Sequence, residues 1–408
     1  MKQQRMRGAS VPRTARLTVG VLVVAAGALL GNGGPALADP APPVAPAPAD
    51  AAQQDDGCTV NQLLPYANCR WSRLYGLRLF YGADLHGIDL ESSVLPRAEL
   101  PGVIFGVTEG GGWSARLGSV NFSAADLSEA KMVGVTAWGV DLQRANLTKA
   151  DLTGADLSYA RMTEANLTDA TLTRADLRDA TLTGANLTRA QLADADLSGK
   201  DLTGTTLTGA NLTGAILKGA NLTGANLSGV DLSGKDLTGT TLSGANLTGA
   251  TLKGANLTGA QLVGADLSGK DLTGTTLTGT TLTGANLSGK DLSGKDLTGT
   301  ILSGANLTRA QLVGADLSRA DLTGKDRSGA DLTDANLTGA RIENADARVT
   351  NFTRATLEGT NFHGTNLVLA TLTGARLDTL TNFDGADLGW TIWIDGHHCT
   401  ATSKGRCS

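Results

Sequence analysis

The chain has 408 residues, a formal net charge of −5 at pH 7, 53 glycines and only 4% aromatic residues. This composition does not suit a globular domain with a large mixed core, because few large side chains are available to fill one. The mildly acidic balance also excludes the basic surface that is typical of nucleic-acid-binding proteins, so nucleic acid is not an expected partner.

The first 38 residues have the pattern of a secretory signal peptide. An apolar run, LTVGVLVVAAGALLG, precedes the small-residue triplet Ala36-Leu37-Ala38 and follows five basic residues, Lys2, Arg5, Arg7, Arg13 and Arg16. An uncleaved membrane anchor is the alternative, but the apolar run is shorter than the roughly 20 residues that a transmembrane helix needs. We expect cleavage after Ala38, a secreted protein, and a mature chain without a transmembrane segment. Loss of the five cations changes the net charge from −5 to −10.

Two short segments are predicted to precede the main domain. Residues 39–56, DPAPPVAPAPADAAQQDD, are rich in proline and alanine, which predicts a disordered linker. Residues 57–82 contain CTVNQLLPYANCRWSRLYGL, a stretch long and amphipathic enough to cover one end of the following domain. We therefore assign residues 57–82 to an N-terminal cap.

A five-residue period dominates the rest of the chain. From Leu117 to Leu377 an apolar residue, mostly leucine, occupies every fifth position with few exceptions, and a small residue stands two places earlier. Period five fits neither a helix, where each step turns by about 140°, nor a flat strand, where an odd step changes the face. The chain must turn once per repeat, which predicts a solenoid with its leucines inward. The predicted core includes Leu127, Leu147, Leu167, Leu187, Leu207, Leu227, Leu247, Leu267, Leu287 and Leu307.

Units such as ADLTG, ANLTG and ADLSG resemble the pentapeptide-repeat family, whose pattern is a small residue, Asp or Asn, Leu, Ser or Thr, and a variable position or Gly. The resemblance covers residues 83–388, the predicted solenoid. It implies an all-β, right-handed quadrilateral β-helix with four repeats per coil, in which the leucine and the small residue point inward. About 60 repeats would give about 15 coils and a rod roughly 70 Å long, at a strand spacing of about 4.8 Å.

Two shifts interrupt the period. The stretch GVTEGGGWSAR, near residues 106–116, inserts two residues beyond whole repeats and predicts a loop at one corner. A shift by one residue lies between Leu377 and Phe383, shortly before the predicted C-terminal cap, residues 389–408. The caps decide whether two rods can pair end to end. A last coil that no cap covers has a free strand edge, so an end-to-end dimer remains possible.

Seven basic residues occupy inward positions: Lys200, Lys235, Lys270, Lys290, Lys295 and Lys325 in place of alanine, and Arg327 in place of leucine. Full burial of an unpaired ammonium is costly, so we expect these side chains to reach water at a corner or the local coil to open. The first three lysines are 35 residues apart, which is seven repeats and a quarter turn short of two coils. This spacing disfavours one ligand-binding row and favours duplication of a 35-residue block. The stretch KDRSG around Arg327 is predicted to form a weak coil.

The four cysteines, Cys58, Cys69, Cys399 and Cys407, allow three pairings. A rod of roughly 70 Å excludes a bridge between its ends, because disulfide Cα atoms lie within about 7 Å. This leaves Cys58 with Cys69 and Cys399 with Cys407, one bridge in each cap. A zinc site at His397, His398 and Cys399 is less favoured, since it lacks the usual ligand spacing. No metal and no cofactor are predicted.

No catalytic group of residues emerges, and we expect a protein that is not an enzyme. Asp belongs to the outward position of the repeat, so carboxylate pairs arise on every face and carry little evidence for acid–base catalysis. A hydrolase would need a pocket, for which only the loop around Glu109 or the C-terminal cap is available. The leading hypothesis is a non-enzymatic secreted scaffold whose flat faces bind an extracellular protein or a cell-envelope polymer.

Two alternatives to this function stay open. Ladders of Thr and Ser hydroxyls along the faces suit an ordered lattice such as ice or a crystalline polysaccharide, although Thr is also simply a good strand residue. Some members of the family that this chain resembles are cytoplasmic DNA mimics that bind type II topoisomerases. That function would require the chain to stay in the cytoplasm, which the predicted signal peptide argues against. It would also require a surface charge closer to that of the DNA phosphates than this mixture of Asp, Asn, Lys and Arg provides.

Overall fold

The structure, a computed structural model, describes residue 58 and residues 62–106, 114–324 and 326–408. Within these ranges there is no α-helix, and the regular structure consists of β-bridges one residue long that recur mostly every fifth residue. The same ranges hold no helix with the length and apolarity of a membrane span. The predicted signal peptide, the predicted linker, most of the predicted loop and Lys325 lie outside the described residues.

The bridges define four-sided coils. Each bridge residue pairs in parallel with a residue one coil further along the chain, mostly 20 positions later. One coil contributes four such pairs in sequence: Asn146 with Asn166, Asp151 with Thr171, Asp156 with Asp176, and Arg161 with Thr181. Because bridges are five residues apart and partners 20 apart, the chain forms an all-β quadrilateral β-helix.

Each repeat forms a turn that its own residues favour. In the repeat that starts at Ala145, the N–H of Ala150 donates to the carbonyl of Leu147 at 3.0 Å and closes the turn. The residue before the closing alanine, Lys149, has φ 59°, a left-handed conformation that explains why glycine is frequent at this place. The N–H and the hydroxyl of Thr148 both donate to Asn146 Oδ1, which explains the Asn or Asp before the leucine and the Thr or Ser after it.

Neighbouring coils are joined by two backbone hydrogen bonds along each side and one at each corner, where for example the N–H of Lys149 donates to the carbonyl of Thr168 at 2.8 Å. The N–H of Leu147 donates to the carbonyl of Asn166 at 2.7 Å, and the N–H of Asn166 donates to the carbonyl of Ala145 at 2.9 Å. Side-chain amides add a second ladder outside the backbone, as where Asn146 Nδ2 donates to Asp126 Oδ1 at 2.9 Å. Both ladders run along the solenoid axis, so each coil is held by its two neighbours.

The core is a column of leucine and small side chains. Every leucine of the predicted core is at most 4% exposed: Leu127, Leu147, Leu167, Leu187, Leu207, Leu227, Leu247, Leu267, Leu287 and Leu307. Phenylalanines continue the column near both ends, with ring centroids 6.0 Å apart for Phe105 and Phe122 and 4.9 Å apart for Phe362 and Phe383. The inward face is therefore mainly apolar; its polar exceptions are buried threonine and serine hydroxyls, such as those of Thr205 and Thr240, and the basic residues described below.

Coil length changes where the period shifts. Partners are 27 residues apart across the predicted loop, as for Asp89 and Arg116, so this coil is seven residues longer than a regular one, or one repeat and two further residues. Partners are 21 residues apart near the second shift, as for Asn361 and Asn382. The extra residues leave the ladder parallel on both sides.

The solenoid starts earlier than residue 83. Asn68, Arg73 and Arg78 already pair in parallel with the next coil, inside the segment that the sequence assigns to a cap. This first coil is also 21 residues long, and its inward positions include Cys69 and Ser72 rather than the regular alanines and leucines, so the period is not visible in the sequence. The disulfide between Cys58 and Cys69, with Cα atoms 5.0 Å apart, ties the chain before the first coil to it.

The C-terminal end reverses direction. The last parallel pair joins Thr371 to Ile392, beyond residue 388, and the chain then turns back so that His398 pairs with Ile392 in the antiparallel sense, as Lys404 does with Asp387. The disulfide between Cys399 and Cys407, with Cα atoms 5.0 Å apart, closes this segment. The returning segment therefore occupies part of the strand edge that the last coil would leave free.

Candidate functional site

The inward lysines lie where the ladder between coils is open. Lys200, Lys235, Lys270, Lys290 and Lys295 are half-buried. Among the described residues, both flanking bridges toward the preceding coil are missing at four of them, and at Lys290 one is missing, that of Asp291. Around Lys270, for example, neither Asp266 nor Asp271 forms a bridge to the preceding coil, although Asp266 bridges the following one. The coil opens at each of these positions, which is one of the two outcomes that the sequence predicts.

The ammonium groups take over hydrogen bonds of the opened backbone. In a regular coil the carbonyl of the inward small residue accepts the N–H of an outward residue from the next coil. At Lys270 the Nζ donates to that carbonyl instead, Ala250 O at 3.1 Å, and also to Leu247 O. Lys290 donates in the same way to Lys270 O at 2.9 Å, and Lys295 donates to Thr275 O at 3.0 Å.

Lys235, Lys270, Lys290 and Lys295 therefore hold two coils apart while their ammonium groups donate to carbonyls of the preceding coil, and we call these lysines wedges. Burial lowers the pKa of Lys235, Lys270 and Lys295 below the ordinary value for lysine, and nearby aspartates oppose that shift. The Asp residues beside the wedges are exposed, whereas the equivalent residues of regular coils are half-buried. The inward charge is thus accommodated by local separation of two coils.

A cleft of ≈ 820 Å³ marks the opening at Lys270. Its lining includes Lys253, Lys270, Asp266 and Asp271 together with the backbone of residues 244–251, and it contains neither histidine nor cysteine. The cleft has both polar and apolar walls, and it lies where the bridges between two coils are missing. Its residues could hydrogen-bond a small polar molecule, but they do not form a nucleophile with a neighbouring base.

Arg327 replaces a core leucine and stays inside. It is 1% exposed, and its Nη1 donates to the carbonyl of Gly324 at 2.9 Å. Burial lowers the pKa of this guanidinium to about 10, while the charges of Asp321 and Asp326 oppose the change. No bridge joins Asp326 to Asn306 in the described ladder, so this coil also lacks part of its contact with the preceding one.

A separate feature, which the sequence reasoning missed, is a line of exposed aromatic rings at one corner. Trp71, Trp138 and Tyr159 are 74%, 42% and 63% exposed and lie in turns of the same corner, which we call the aromatic corner. Backbone bonds between coils establish the alignment: the N–H of Ser119 donates to the carbonyl of Trp138 at 2.8 Å, and the N–H of Gly139 to that of Ser158 at 2.7 Å. The available signal was an aromatic residue at a turn position that usually holds Ser, Thr or Gly.

The aromatic corner is partly fixed and is flanked by charge. The indole of Trp138 lies against Gly118, where a Cβ atom would be 2.5 Å from the indole Nε1. Arg70, beside Trp71, pairs with Glu91, which also pairs with Arg116 at 3.1 Å. Between Trp71 and Trp138 the surface therefore offers hydrogen-bond donors and acceptors in addition to ring faces.

The hydroxyls after the core leucines are directed back to the protein in the regular coils. Thr148, Thr168 and Thr188 each donate to the Oδ1 of the Asn two residues earlier at 2.6 Å. These hydroxyls keep acceptor capacity but have no free proton to offer. The observation weakens the hypothesis that they form a binding array for an ordered lattice.

Comparison with known proteins identifies the family. The model of the family described as Pentapeptide repeats matches eight times, over residues 121–158, 160–199, 201–234, 236–269, 255–294, 291–324, 316–353 and 350–392, which is more than half of the chain. No curated protein sequence matches.

Solved structures give similar proteins at low similarity. QnrB1, a plasmid-mediated fluoroquinolone resistance protein, is 21% identical over 52% of this chain and 94% of its own, with a TM-score of 0.23. HetL from the cyanobacterium Nostoc sp. strain PCC 7120, a protein involved in heterocyst differentiation regulation, is 25% identical over 83% and 93%, with a TM-score of 0.12. A thylakoid lumen protein of Arabidopsis thaliana is 29% identical over 32% and 86%, with a TM-score of 0.14. On the matches of the family model, the chain belongs to the pentapeptide-repeat family, whose members form right-handed quadrilateral β-helices and are generally structural or binding proteins.

Proposed function

We propose that the chain is a secreted, non-enzymatic scaffold that binds an extracellular protein or a cell-envelope polymer through the aromatic corner. The exposure of Trp71, Trp138 and Tyr159 in one line is the observation that carries this proposal. Tryptophan, tyrosine and arginine are the residues that most often dominate the energy of protein interfaces. Eight aromatic residues are exposed among the described residues, and three of them share this corner, which favours it as a binding surface.

The signal-peptide pattern of residues 1–38 and the two disulfides support the secreted location, since disulfides persist in oxidising compartments. The finer architecture is part of the same proposal: about 15 coils, with a disulfide-stapled cap at each end. A rigid rod of this kind would present the aromatic corner with little loss of conformational entropy on binding. Should the chain instead remain in the cytoplasm, the DNA-mimic hypothesis would replace this one.

The test is affinity capture with immobilised residues 39–408 against the secreted proteins and the isolated wall fraction of the host. The binding variant is Trp71→Ala/Trp138→Ala/Tyr159→Ala. The matched control is Val349→Ala/Leu369→Ala, which removes side chains that are 58% and 55% exposed. These two lie on the opposite corner, because Val349 is ten residues, or two sides, from Gly359, which continues the corner of Tyr159.

We expect saturable binding that the control retains and the triple variant loses by at least about tenfold, or about 1.4 kcal/mol. A partner that binds both variants equally would place the binding surface elsewhere. Absence of any saturable binding would contradict the scaffold hypothesis itself. Detection of the native chain in the cytoplasm with residues 1–38 still attached would contradict the secreted location.

A further inference from the structure

Three potential metal ligands converge at the C-terminal end. The ligand atoms of His397, Cys399 and Cys407 all lie within 4.8 Å of one another, and His397 Nε2 is 3.0 Å from Cys407 Sγ. Within the part of the chain that the structure describes, this is the one group of three or more His, Cys, Asp or Glu residues with such spacing. Two sulfurs and one imidazole nitrogen are a donor set that zinc prefers.

The histidine is held in the orientation that metal binding needs. Asp395 accepts the hydrogen bond of His397 Nδ1, so that Nε2 is the nitrogen that faces the sulfurs. A carboxylate on the far nitrogen of a ligating histidine is the usual arrangement at zinc sites, where it fixes the ring and raises its basicity. The backbone is fixed as well, since the N–H of Trp393 donates to His397 O and the N–H of Cys399 donates to Thr391 O, both at 2.8 Å.

The two sulfurs are joined in this structure and cannot bind a metal in that state. We propose that the Cys399–Cys407 disulfide and a three-ligand zinc site are two exclusive states of the C-terminal end, selected by a dithiol reductant. The reductant transfers two electrons and two protons to the disulfide and leaves as a cyclic disulfide. Zn²⁺ then displaces both thiol protons and accepts the lone pair of His397 Nε2, with no change in its own oxidation state.

The second disulfide provides a contrast within the same chain. Cys58 and Cys69 have the same Cα separation of 5.0 Å, but among the described residues no histidine or carboxylate forms a ligand group with them. The neighbour of Cys58 Sγ is instead the carbonyl oxygen of Asn68, at 3.4 Å. Reduction of this pair would leave two thiols without a third donor among the described residues. Zinc binding is therefore assigned to the C-terminal pair alone, independently of the proposed scaffold function.

The experiment uses the full mature chain and Co²⁺ as a spectroscopic probe for the zinc site. The protein is reduced with dithiothreitol, freed of reductant without air, and titrated with Co²⁺ and then with Zn²⁺. We expect one equivalent of Co²⁺ with thiolate-to-cobalt charge-transfer absorption, lost on addition of Zn²⁺, in the reduced protein and not in the oxidised one. Cys58→Ser/Cys69→Ser should bind as the parent does, and Cys399→Ser/Cys407→Ser should not bind.

The histidine is tested against its neighbour. His397→Ala should weaken Co²⁺ binding by at least about tenfold and Asp395→Asn by about tenfold, while His398→Ala serves as the matched control and should have no effect. Circular dichroism of each reduced variant checks that the solenoid remains folded, and protection of Cys399 and Cys407 from alkylation by Zn²⁺ gives a second readout. The proposal is overturned if the reduced parent shows no thiolate–cobalt absorption, or if the absorption is insensitive to His397→Ala.

Discussion

Two regions of the solenoid follow the same five-residue pattern and differ in one inward residue. Around Asn146 and Asn166 all four sides of successive coils are bridged, and an alanine fills the inward position. Around Asp266 and Asp271, on either side of Lys270, two consecutive sides are open toward the preceding coil. The inward position therefore tolerates a lysine because its ammonium group reaches a backbone carbonyl of the preceding coil, and the two coils lose bridges as a result.

The buried arginine should show the largest effect of an inward charge. Arg327→Leu is expected to raise the free energy of unfolding by about 3 kcal/mol, because burial lowers the pKa of Arg327 well below its ordinary value, to about 10, and each pKa unit corresponds to about 1.4 kcal/mol. The leucine also restores the regular core residue. Chemical denaturation of the variant measures the change.

The exposed Arg319 provides the matched control for this prediction. Arg319→Leu should change the free energy of unfolding by no more than about 0.5 kcal/mol. If the Arg327→Leu variant and the parent are equally stable, the prediction is wrong. Interactions inside the coil would then offset the cost of burying the guanidinium to the same extent that a packed leucine stabilises the coil.

Replacing one wedge lysine by alanine should have an intermediate effect on stability. Lys270→Ala places the regular residue between the two coils, so we expect the bridges of Asp266 and Asp271 to form and the protein to gain about 1–2 kcal/mol. Hydrogen exchange measures this locally: the amides of Leu247, Leu252 and Asp271 should become protected. The control, Lys253→Ala, removes an exposed lysine from the same cleft and should leave exchange unchanged.

The pH dependence of the wedges should be the smallest effect. Burial lowers the folded-state pKa of Lys235, Lys270 and Lys295 below 10.5, so between the lowered value and 10.5 the unfolded state binds more protons than the folded state. The penalty of the three lysines is therefore fully present at neutral pH and is relieved as pH rises through this window.

The measurement compares the parent with Lys235→Ala/Lys270→Ala/Lys295→Ala by denaturation from about pH 8 to about pH 11. The stability advantage of the triple variant should shrink as pH rises. Arg327 titrates in both proteins, so its contribution cancels in the difference. A constant advantage across the range would show that these ammonium groups titrate alike in the folded and the unfolded chain.

The five-residue period was sufficient to predict the architecture of the middle of the chain. Few folds can bury both a leucine and a small residue in every repeat of five. It was not sufficient for the first coil. There the inward residues include Cys69 and Ser72, and only the parallel pairs of Asn68 and Arg73 with the next coil reveal the solenoid.

The candidate sites, too, could be predicted from the sequence only in part. That lysines at inward positions must disturb the coil follows from the cost of burying a charge, which the sequence alone makes evident. Which carbonyl receives each ammonium, and which bridges open, depends on the register between coils. The aromatic corner also depends on that register, since Trp71, Trp138 and Tyr159 are far apart in the sequence and one extended coil lies between the first two.

From the sequence alone, the repeat, the inward column of leucines and the positions of inward charge could be predicted, because each follows from the residue types within one repeat. The two cysteine pairs could be predicted as well, because the length of the rod that the repeat implies keeps the two ends apart. The corner that Trp71 shares with Trp138, the contact of His397 with Cys407 and the closure of the chain ends became visible in the three-dimensional structure alone. The physical reason is that the stacking of one coil on the next sets those contacts, and a single change in coil length shifts all of them.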